Sequence, residues 1–278
     1  MRDGPRYLSV FLTFARNSLV RDMTFRANFV IDVVASLSWV VMNLGFYILI
    51  FQYTPSLGAG TGWGQYQFFL FLATGLLINS LVQAFFMTNA DELSELIRTG
   101  SLDFALLKPV DTQFLVSLQR IEWSSLGNFV FGLALLGYSL YHVEYRPGLV
   151  QIVLYPFYVA CGVAILYSLM FAMAASSVWL GRNQTLYDFW FYVTTFSRYP
   201  LEIYRGPIGY PLQLFFTFVI PVLVVVNVPA RLLVRPLNPR STEDWLLPLF
   251  AVAATAASLG LSRWVFNRAL RSYRSASS

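Results

Sequence analysis

The chain has 278 residues, of which 57% are apolar and only 12% are charged, against about 25% charged residues in an average soluble domain. This composition excludes an ordinary soluble globular protein. The formal net charge of +5 comes from 18 arginines and a single lysine, and in such an apolar chain their positions predict membrane orientation rather than nucleic-acid binding.

The length limits what else the chain can contain. Each crossing of a hydrocarbon layer about 30 Å thick needs about 20 mainly apolar residues, so 278 residues hold six or seven crossings and no separate catalytic domain. Cys161 is the single cysteine, which excludes an intrachain disulfide or a cysteine-based metal cluster.

Residues 1–26 predict an amphipathic helix lying at the membrane surface. Apolar side chains such as Tyr7, Phe11 and Phe14 recur at helical spacing, and arginines occupy the other faces. A signal peptide is the competing interpretation. Arg16 interrupts the apolar stretch, however, and no clear small-x-small cleavage site follows, which favours the interface helix.

Five apolar stretches have the length and the flanks of membrane-spanning helices. They are residues 27–51, 66–87, 123–140, 156–180 and 246–266. Residues 184–234 are harder to assign, because two apolar pieces there are separated by the sequence RGPIGYP and broken further by Pro221 and Pro229. If both pieces crossed the membrane, the two termini would lie on opposite sides.

The arginines decide between six and seven crossings. Residues 1–26 carry five arginines, and Arg263, Arg268, Arg271 and Arg274 end the last span or follow it, so both termini are predicted to be cytoplasmic and the number of crossings to be even. We therefore predict a fifth span at 185–204 and a re-entrant segment at 209–234, in which Pro221 and Pro229 favour bends.

The loop between the second and third predicted spans concentrates charge. Residues 88–122 hold six acidic and three basic residues, a net charge of −3. Asn89 can cap a helix over residues 90–99, and Gly100 can end it in the left-handed conformation. The acidic residues near the start of this helix are Asp91, Glu92 and Glu95. Its apolar edge consists of Leu93, Leu96 and Ile97.

Two interpretations of this helix stay open. The first is a solvent-exposed helix whose acidic residues stabilise it through their favourable electrostatic interaction with its N-terminus. The second is a docking helix, because a compact acidic amphipathic helix held away from anionic lipid fits a basic groove on a partner protein.

The sequence ELIRTGSLDFALLKPV at residues 95–110, placed between a second and a third span, resembles the ABC-2 type transport permeases, in particular a branch of uncharacterised permeases of about this length. The sequence FVIPVLVVVNVPARLL at residues 218–233 looks like the outer re-entrant stretch of that family. The resemblance extends over most of the chain and rests on the order and spacing of the segments, since each motif alone is loose.

The resemblance implies a single ABC-2 type transmembrane domain over residues 1–278, an all-α membrane fold like that of the type V exporters. It has six transmembrane helices, an interface helix, a cytoplasmic coupling helix at 90–99 and an outer re-entrant segment. It implies the permease subunit of an ATP-binding-cassette exporter in the bacterial plasma membrane, paired with a second copy or a related permease into twelve spans. A separate ATPase subunit would bind ATP and magnesium, and this chain would hold no cofactor or metal and catalyse nothing.

The resemblance also suggests which residues act. The expected ATPase-docking residues are Asp91, Glu92, Leu93, Glu95, Leu96, Ile97, Arg98 and Gly100. The expected shapers of an outer gate are Pro221 and Pro229.

Missing motifs restrict the other functions. Lys108, the single lysine, lies outside any P-loop pattern, so the chain cannot be its own ATP-driven motor. His142 stands alone in a predicted outer loop, where a surface role is favoured over a metal-ligand role. Asp32, Asp188 and Arg198 are taken as the candidate ionisable residues of a transport pathway, fewer than a proton-coupled carrier normally buries. A stand-alone carrier or channel and a non-transporting scaffold are the alternatives.

Overall fold

The computed structural model describes residues 7–58, 61–180, 191, 194–204, 206–235 and 242–273. Every element within these residues is helical. The α-helices are α1 (Tyr7–Thr24), α2 (Arg26–Tyr53), α3 (Gln65–Val82), α4 (Thr88–Thr99), α5 (Leu102–Leu106), α6 (Thr112–Leu118), α7 (Leu126–His142), α8 (Leu149–Leu180), α9 (Gly209–Leu214), α10 (Val222–Val234) and α11 (Thr242–Ser272).

Four of the described helical stretches are long and apolar enough to cross a membrane: Arg26–Tyr53, Gln65–Thr99, Leu149–Leu180 and Trp245–Ser272. A bent pair, Gly209–Val219 with Val222–Val234, would make a fifth span if it crosses as one unit. Helix α7 has 17 residues, which lies at the lower end of the length that spans a bilayer. Most of the predicted fifth span, 185–204, falls outside the described residues.

Two helices begin at positions that the sequence does not predict. Helix α8 starts at Leu149 and contains Pro156 in its interior, whereas the predicted span begins at that proline. Helix α4 is not a separate helix starting after Asn89. Residues 65–99 form one uninterrupted helical stretch of 35 residues, in which a π-helical turn, Gln83–Met87, joins α3 to α4.

This stretch sets the long dimension of the bundle. At a rise of 1.5 Å per residue, 35 residues extend about 52 Å, well beyond a hydrocarbon layer of about 30 Å. Helix α4 is therefore a continuous extension of a spanning helix. We call the end of the bundle that carries α4 the α4 end, and the end where α2 connects to α3 the opposite end.

The core lies where α10 packs between α8 and α3. All residues of α10 are buried except Arg231, which is partly exposed. Helix α8 also packs along α11 and reaches α4, and α3 packs along α7. A helix as apolar and as enclosed as α10 is stabilised by its surroundings rather than by an amphipathic pattern.

The segment before α10 bends sharply. The axes of Gly209–Val219 and Val222–Val234 differ by 89°. Pro221 stands at the N-cap of α10, where a missing backbone N–H costs no helical hydrogen bond. The bend agrees with the predicted break at Pro221.

Candidate functional site

Helix α4 exposes part of the predicted docking set. Glu95 and Arg98 are exposed, and Gly100 ends the helix with φ of 73°, a conformation that glycine adopts without strain. Leu93 is completely buried inside the chain, and Leu96 and Ile97 pack against the core. The apolar edge of α4 therefore holds the helix on its own bundle, and Leu93 offers no surface to a partner.

The acids of α4 are largely neutralised within the chain. Glu92 forms a salt bridge with Arg120 and accepts a hydrogen bond of 3.0 Å from Gln119. Glu95 accepts a hydrogen bond of 2.8 Å from Arg98, one turn further along the helix. The exposed tip of α4 thus presents a balanced pair of charges rather than an uncompensated acidic face.

Helix α5 adds an apolar surface that the sequence analysis did not select. Phe104 is 73% exposed and Leu107, directly after the helix, is 82% exposed, whereas Leu102 and Ala105 are buried. The sequence contained a signal for this surface, because residues three apart, such as Phe104 and Leu107 or Leu102 and Ala105, lie on the same face of a short helix. Exposed apolar side chains next to charges are typical of protein-binding surfaces.

Asn89 fixes α4 to the segment before α7. It does not cap a helix; its amide donates hydrogen bonds of 2.7 Å to the carbonyl oxygens of Phe85 and Arg120, and its oxygen accepts one of 3.0 Å from the Arg120 N–H. Asn89 is completely buried. These bonds satisfy main-chain groups that lie between two helices.

Helix α1 is attached to the same segment. Ser18 accepts a hydrogen bond of 3.0 Å from the Ile121 N–H, and Asp22 accepts one of 3.3 Å from the Trp123 N–H. The α1 helix and α4 therefore both bind residues 119–125. This segment therefore connects α4 to α1 through hydrogen bonds.

A second connection links the α4 end to α11 and α8. Arg263 of α11 donates hydrogen bonds to both carboxylate oxygens of Asp111, at 3.1 and 2.5 Å, and one of 3.0 Å to Gln113. Asp111 also caps α6 by accepting from the Phe114 N–H at 2.9 Å. The hydrogen bonds from Arg263 lower the pKa of the Asp111 carboxyl. Gln113 in turn donates to the Tyr167 hydroxyl of α8 at 3.1 Å.

The opposite end contains an ion cluster around a buried carboxylate, which the sequence analysis missed. The Glu202 side chain is 1% exposed and pairs with Arg231 at 3.0 Å and with Arg235 at 2.9 Å. Trp63 donates its indole N–H to the same carboxylate at 2.9 Å. A signal existed in the sequence, since Arg231 and Arg235 are spaced by four residues and Glu202 is an isolated acid in an apolar stretch.

The two prolines of the predicted gate are buried in or directly before α10, the helix that carries Arg231 of this ion cluster. Pro221 precedes α10 and Pro229 lies inside it. Asn227, between them, accepts a hydrogen bond of 2.9 Å from the Leu201 N–H. Helix α10 thereby positions the short 3-10 helix, Leu201–Tyr204, that carries Glu202.

A cleft of about 770 Å³ lies between α2, α3 and α7 and is closed on another side by Phe191, Thr194 and residues 197–199. Such a volume is typical of small-molecule sites. Glu122 and Ser125 line the part of the cleft nearest the α4 end, and Arg198 and Tyr199 line it elsewhere. The cleft therefore combines apolar walls with a few polar side chains, as small-molecule sites do.

The profile of the family described as ABC-2 family transporter protein matches residues 37–277. The chain belongs to this family. Neither a curated protein nor a solved structure gives a significant match. The chain is thus the membrane permease component of an ABC transporter and an integral membrane protein, as the sequence resemblance indicates. The matched residues of this ABC-2 family chain include α4, α5, both prolines and most of the cleft; α1 precedes them.

Other ionisable residues of the ABC-2 family chain have ordinary surroundings. His142 stacks on Tyr66 with ring centroids 4.7 Å apart, and among the described residues no group of three His, Cys, Asp or Glu side chains could hold a metal ion. Asp32 shares a cavity of about 300 Å³ with Arg21 and Asp22 of α1. It makes no hydrogen bond to a described residue. Asp188 lies outside the described residues.

Proposed function

We propose that this chain is the permease subunit of an ABC exporter and that a separate ATPase subunit, which binds ATP and magnesium, drives it through α4 and α5. In this proposal two permeases, identical or related, pair into a twelve-span transporter in the bacterial plasma membrane. Both termini and the α4 end face the cytoplasm, and Pro221 and Pro229 shape a gate on the other side.

The observation that carries the proposal is the unbroken helical stretch of 35 residues from Gln65 to Thr99. About 20 residues suffice to cross the hydrocarbon layer, so α4 projects beyond the membrane at the end of a helix whose other part lies inside it. A force applied at α4 therefore acts on a spanning helix directly. The hydrogen bonds of Asn89 and Ser18 extend that movement to α1 and to the start of α7.

We propose a docking surface that differs from the predicted set. We propose that Glu95, Arg98, Phe104 and Leu107 contact the ATPase, because they are exposed at the projecting end. Asp91, Glu92, Leu96, Ile97 and Gly100 would then shape and hold the helix. Apolar anchors surrounded by charged residues are the usual arrangement of a protein interface.

The test is co-expression of the tagged chain with ABC ATPase subunits encoded in the same genome. Leu107→Arg combined with Glu95→Arg should abolish co-purification and chain-dependent ATP hydrolysis, while membrane insertion and thermal stability stay unchanged. Leu149→Arg is a matched control, since Leu149 is also 82% exposed but lies at the opposite end.

Two outcomes would contradict the proposal. One is unchanged association of the Leu107 and Glu95 variant with the ATPase. The other is solute movement by the purified chain alone in liposomes under an ion gradient, which would assign the chain to the stand-alone carriers.

A further inference from the structure

The cleft between α2, α3 and α7 has a charged side chain near each of its ends. Glu122 lines it near the α4 end, where its main-chain N–H donates to the Ala84 carbonyl oxygen at 2.8 Å. Arg198 lines it within electrostatic range of Tyr47 on α2. Tyr47 contacts Phe68 with ring centroids 4.7 Å apart, and Phe68 and Ala84 lie about 24 Å apart along one helical stretch. The carboxylate and the guanidinium group are therefore well separated along the cleft.

The neutral polar groups of the lining do not select a ligand charge. Hydroxyl groups donate or accept, and each side-chain amide offers both an oxygen and N–H groups. Asn43 and Asn79, for example, each use one N–H on a main-chain carbonyl oxygen of their own helix, at 2.9 and 2.8 Å, and keep a second N–H. The charge that a ligand of this cleft carries is thus decided by Glu122 and Arg198.

These two charges differ in what already binds them. Glu122 accepts a hydrogen bond of 2.8 Å from the Thr88 hydroxyl. Among the residues that the structure describes, Arg198 makes no salt bridge and no side-chain hydrogen bond, and its guanidinium group lies 5.5 Å from the centroid of the Phe191 ring. A charge inside an apolar bundle is costly unless an opposite charge accompanies it. Arg198 is therefore the side chain that an anionic group would complement.

A second source of positive potential lies behind the same part of the cleft. Phe71 lines the cleft, and Trp63 packs on it with ring centroids 5.5 Å apart. The indole of Trp63 donates to Glu202, whose single carboxylate is shared by Arg231 and Arg235. This cluster therefore has an excess of one positive charge. In a medium of low dielectric constant that charge adds to the attraction of an anion towards Arg198.

The backbone that carries Arg198 is held in place before any ligand binds. The Arg198 N–H donates to the Thr195 carbonyl oxygen at 3.2 Å. The completely buried Asn227 of α10 accepts a hydrogen bond of 2.9 Å from the Leu201 N–H and donates one of 3.4 Å to the Tyr199 carbonyl oxygen. Such preorganisation lowers the entropic cost of binding.

The rim of the cleft near Arg198 is aromatic. Phe191, Phe46 and Trp39 all line the cleft and are 55%, 59% and 61% exposed. Since Phe46 and Trp39 belong to a helix long and apolar enough to cross the membrane, their exposed faces meet lipid chains. An apolar group can therefore extend from the cleft into the bilayer beside the guanidinium group.

We propose that the cleft binds an amphiphile with an anionic head group, whose charge lies against Arg198 while its apolar part passes Phe191 and Phe46 towards the bilayer. Carboxylate and phosphate heads share the oxygen pairs that a guanidinium group binds. This inference rests on the proposed transport role, because it names the class of substrate for that role. Binding itself needs neither an ATPase nor transport, and it can be measured on the chain alone.

The experiment uses the full chain in phosphatidylcholine nanodiscs and an alkyl phosphate with a brominated chain, which quenches tryptophan fluorescence on contact. The Trp39 signal is the difference between the wild type and Trp39→Phe. We expect saturable quenching of Trp39, reversed by the unbrominated alkyl phosphate but not by the same concentration of inorganic phosphate. The same brominated chain with a phosphocholine, a maltose or a trimethylammonium head should quench weakly and without saturation.

Three variants and one internal reference complete the design. Arg198→Gln should weaken the apparent affinity for the alkyl phosphate about tenfold or more, as expected for the loss of a charge-assisted contact. Arg198→Lys should weaken it less, because lysine keeps the charge but not the paired donors. Arg146→Gln, at an exposed site outside the lining, removes the same charge and should leave the affinity unchanged. Trp264, which is 64% exposed on α11, reports simple partitioning of each probe into the bilayer.

Equal quenching by all four heads at equal bound amounts, or a preference for the ammonium head, would overturn the proposal. Displacement by inorganic phosphate would overturn the assignment to an amphiphile. Unchanged affinity of an Arg198→Gln variant whose thermal midpoint matches the wild type would also contradict it, as would an equal loss in Arg146→Gln. Failure of the ATPase to co-purify would instead contradict the proposed coupling and would leave the binding result standing.

Discussion

The carbonyl oxygen of Val225 in α10 faces Gly162 in α8 so closely that a Cβ atom on Gly162 would lie 3.0 Å from it. Val225 is four residues before Pro229, and proline has no N–H with which to bond that carbonyl. The proline thus leaves an acceptor at the face of α10 that packs on α8. A glycine at position 162 lets the two backbones come close enough for weak Cα–H contacts to that oxygen.

Gly162→Ala should therefore separate α8 from α10. An added methyl group would also lie 3.1 Å from Ile78, and overpacking of this kind costs about 1–3 kcal/mol. Gly137→Ala is the control, because nothing lies within 4 Å of its Cβ position and alanine favours a helix by about 1 kcal/mol. Thermal unfolding in detergent measures both. A Gly162→Ala midpoint at or above that of Gly137→Ala would disprove the close approach.

The ion pair between Asp111 and Arg263 can be separated from the cap that Asp111 provides. Asn caps helices about as well as Asp, so Asp111→Asn removes chiefly the ion pair and should cost about 0.5–1 kcal/mol, since both side chains are partly exposed. Asp111→Ala also removes the bond from the Phe114 N–H and should cost about 1 kcal/mol more. Equal unfolding midpoints for the two variants would exclude the capping role.

The same pair predicts a pH dependence. Hydrogen bonds from Arg263 hold the pKa of Asp111 below its usual value, so the stabilisation is complete above the ordinary aspartate pKa of about 3.9 and is lost as pH falls through the lowered value. The difference in thermal midpoint between wild type and Asp111→Asn should stay constant above about pH 5 and shrink below about pH 4. A difference that grows on acidification would contradict the assignment.

Asn89→Ala tests the attachment of α4. The substitution removes three hydrogen bonds and leaves the Arg120 N–H and carbonyl without partners, which should cost about 2–3 kcal/mol. The Arg120 amide should exchange with solvent at least about tenfold faster, as measured by hydrogen–deuterium exchange. Asn267→Ala serves as the exposed control. Unchanged exchange at Arg120 would show that α4 is held in another way.

The sequence predicted those structural features that neighbouring residues determine. The amphipathic N-terminal helix, the end of α4 at Gly100 and the bend at Pro221 follow from residue spacing, a left-handed glycine and a proline. The continuity of α3 with α4 could not be predicted in this way. Asn89 is a good capping residue in isolation, but acceptors and donors at Arg120, 31 residues away, bind its side chain and leave the helix unbroken.

The candidate site was also predicted only in part: its charged positions could be read from the sequence, but its tertiary contacts could not. The charged positions of α4 were visible in the sequence, but their partners were not, because Glu92 meets Arg120 only after the chain has returned from α6. Burial of Leu93 depends on how α4 packs against α8, which no periodic pattern specifies. The exposed Phe104 and Leu107 run against the ordinary expectation that apolar residues are buried, and such exceptions are typical of binding surfaces.

The cluster around Glu202 should be the most sensitive polar site at the opposite end. Glu202→Gln would leave Arg231 and Arg235 beside a neutral amide. Because these two arginine side chains are 28% and 45% exposed, the change should cost about 1–3 kcal/mol, less than the loss of a fully buried pair. Glu144→Gln, at an exposed site, should change stability by less than about 0.5 kcal/mol.

A double variant separates the ion pair from packing. If Arg235 is destabilising once Glu202 is neutral, Glu202→Gln with Arg235→Gln should cost less than the sum of the two single variants. Because the carboxylate is 1% exposed, salt should change the unfolding midpoint of the wild type little. Additive costs would show that Glu202 and Arg235 are not coupled and that the cluster does not hold Trp63 and α10 together.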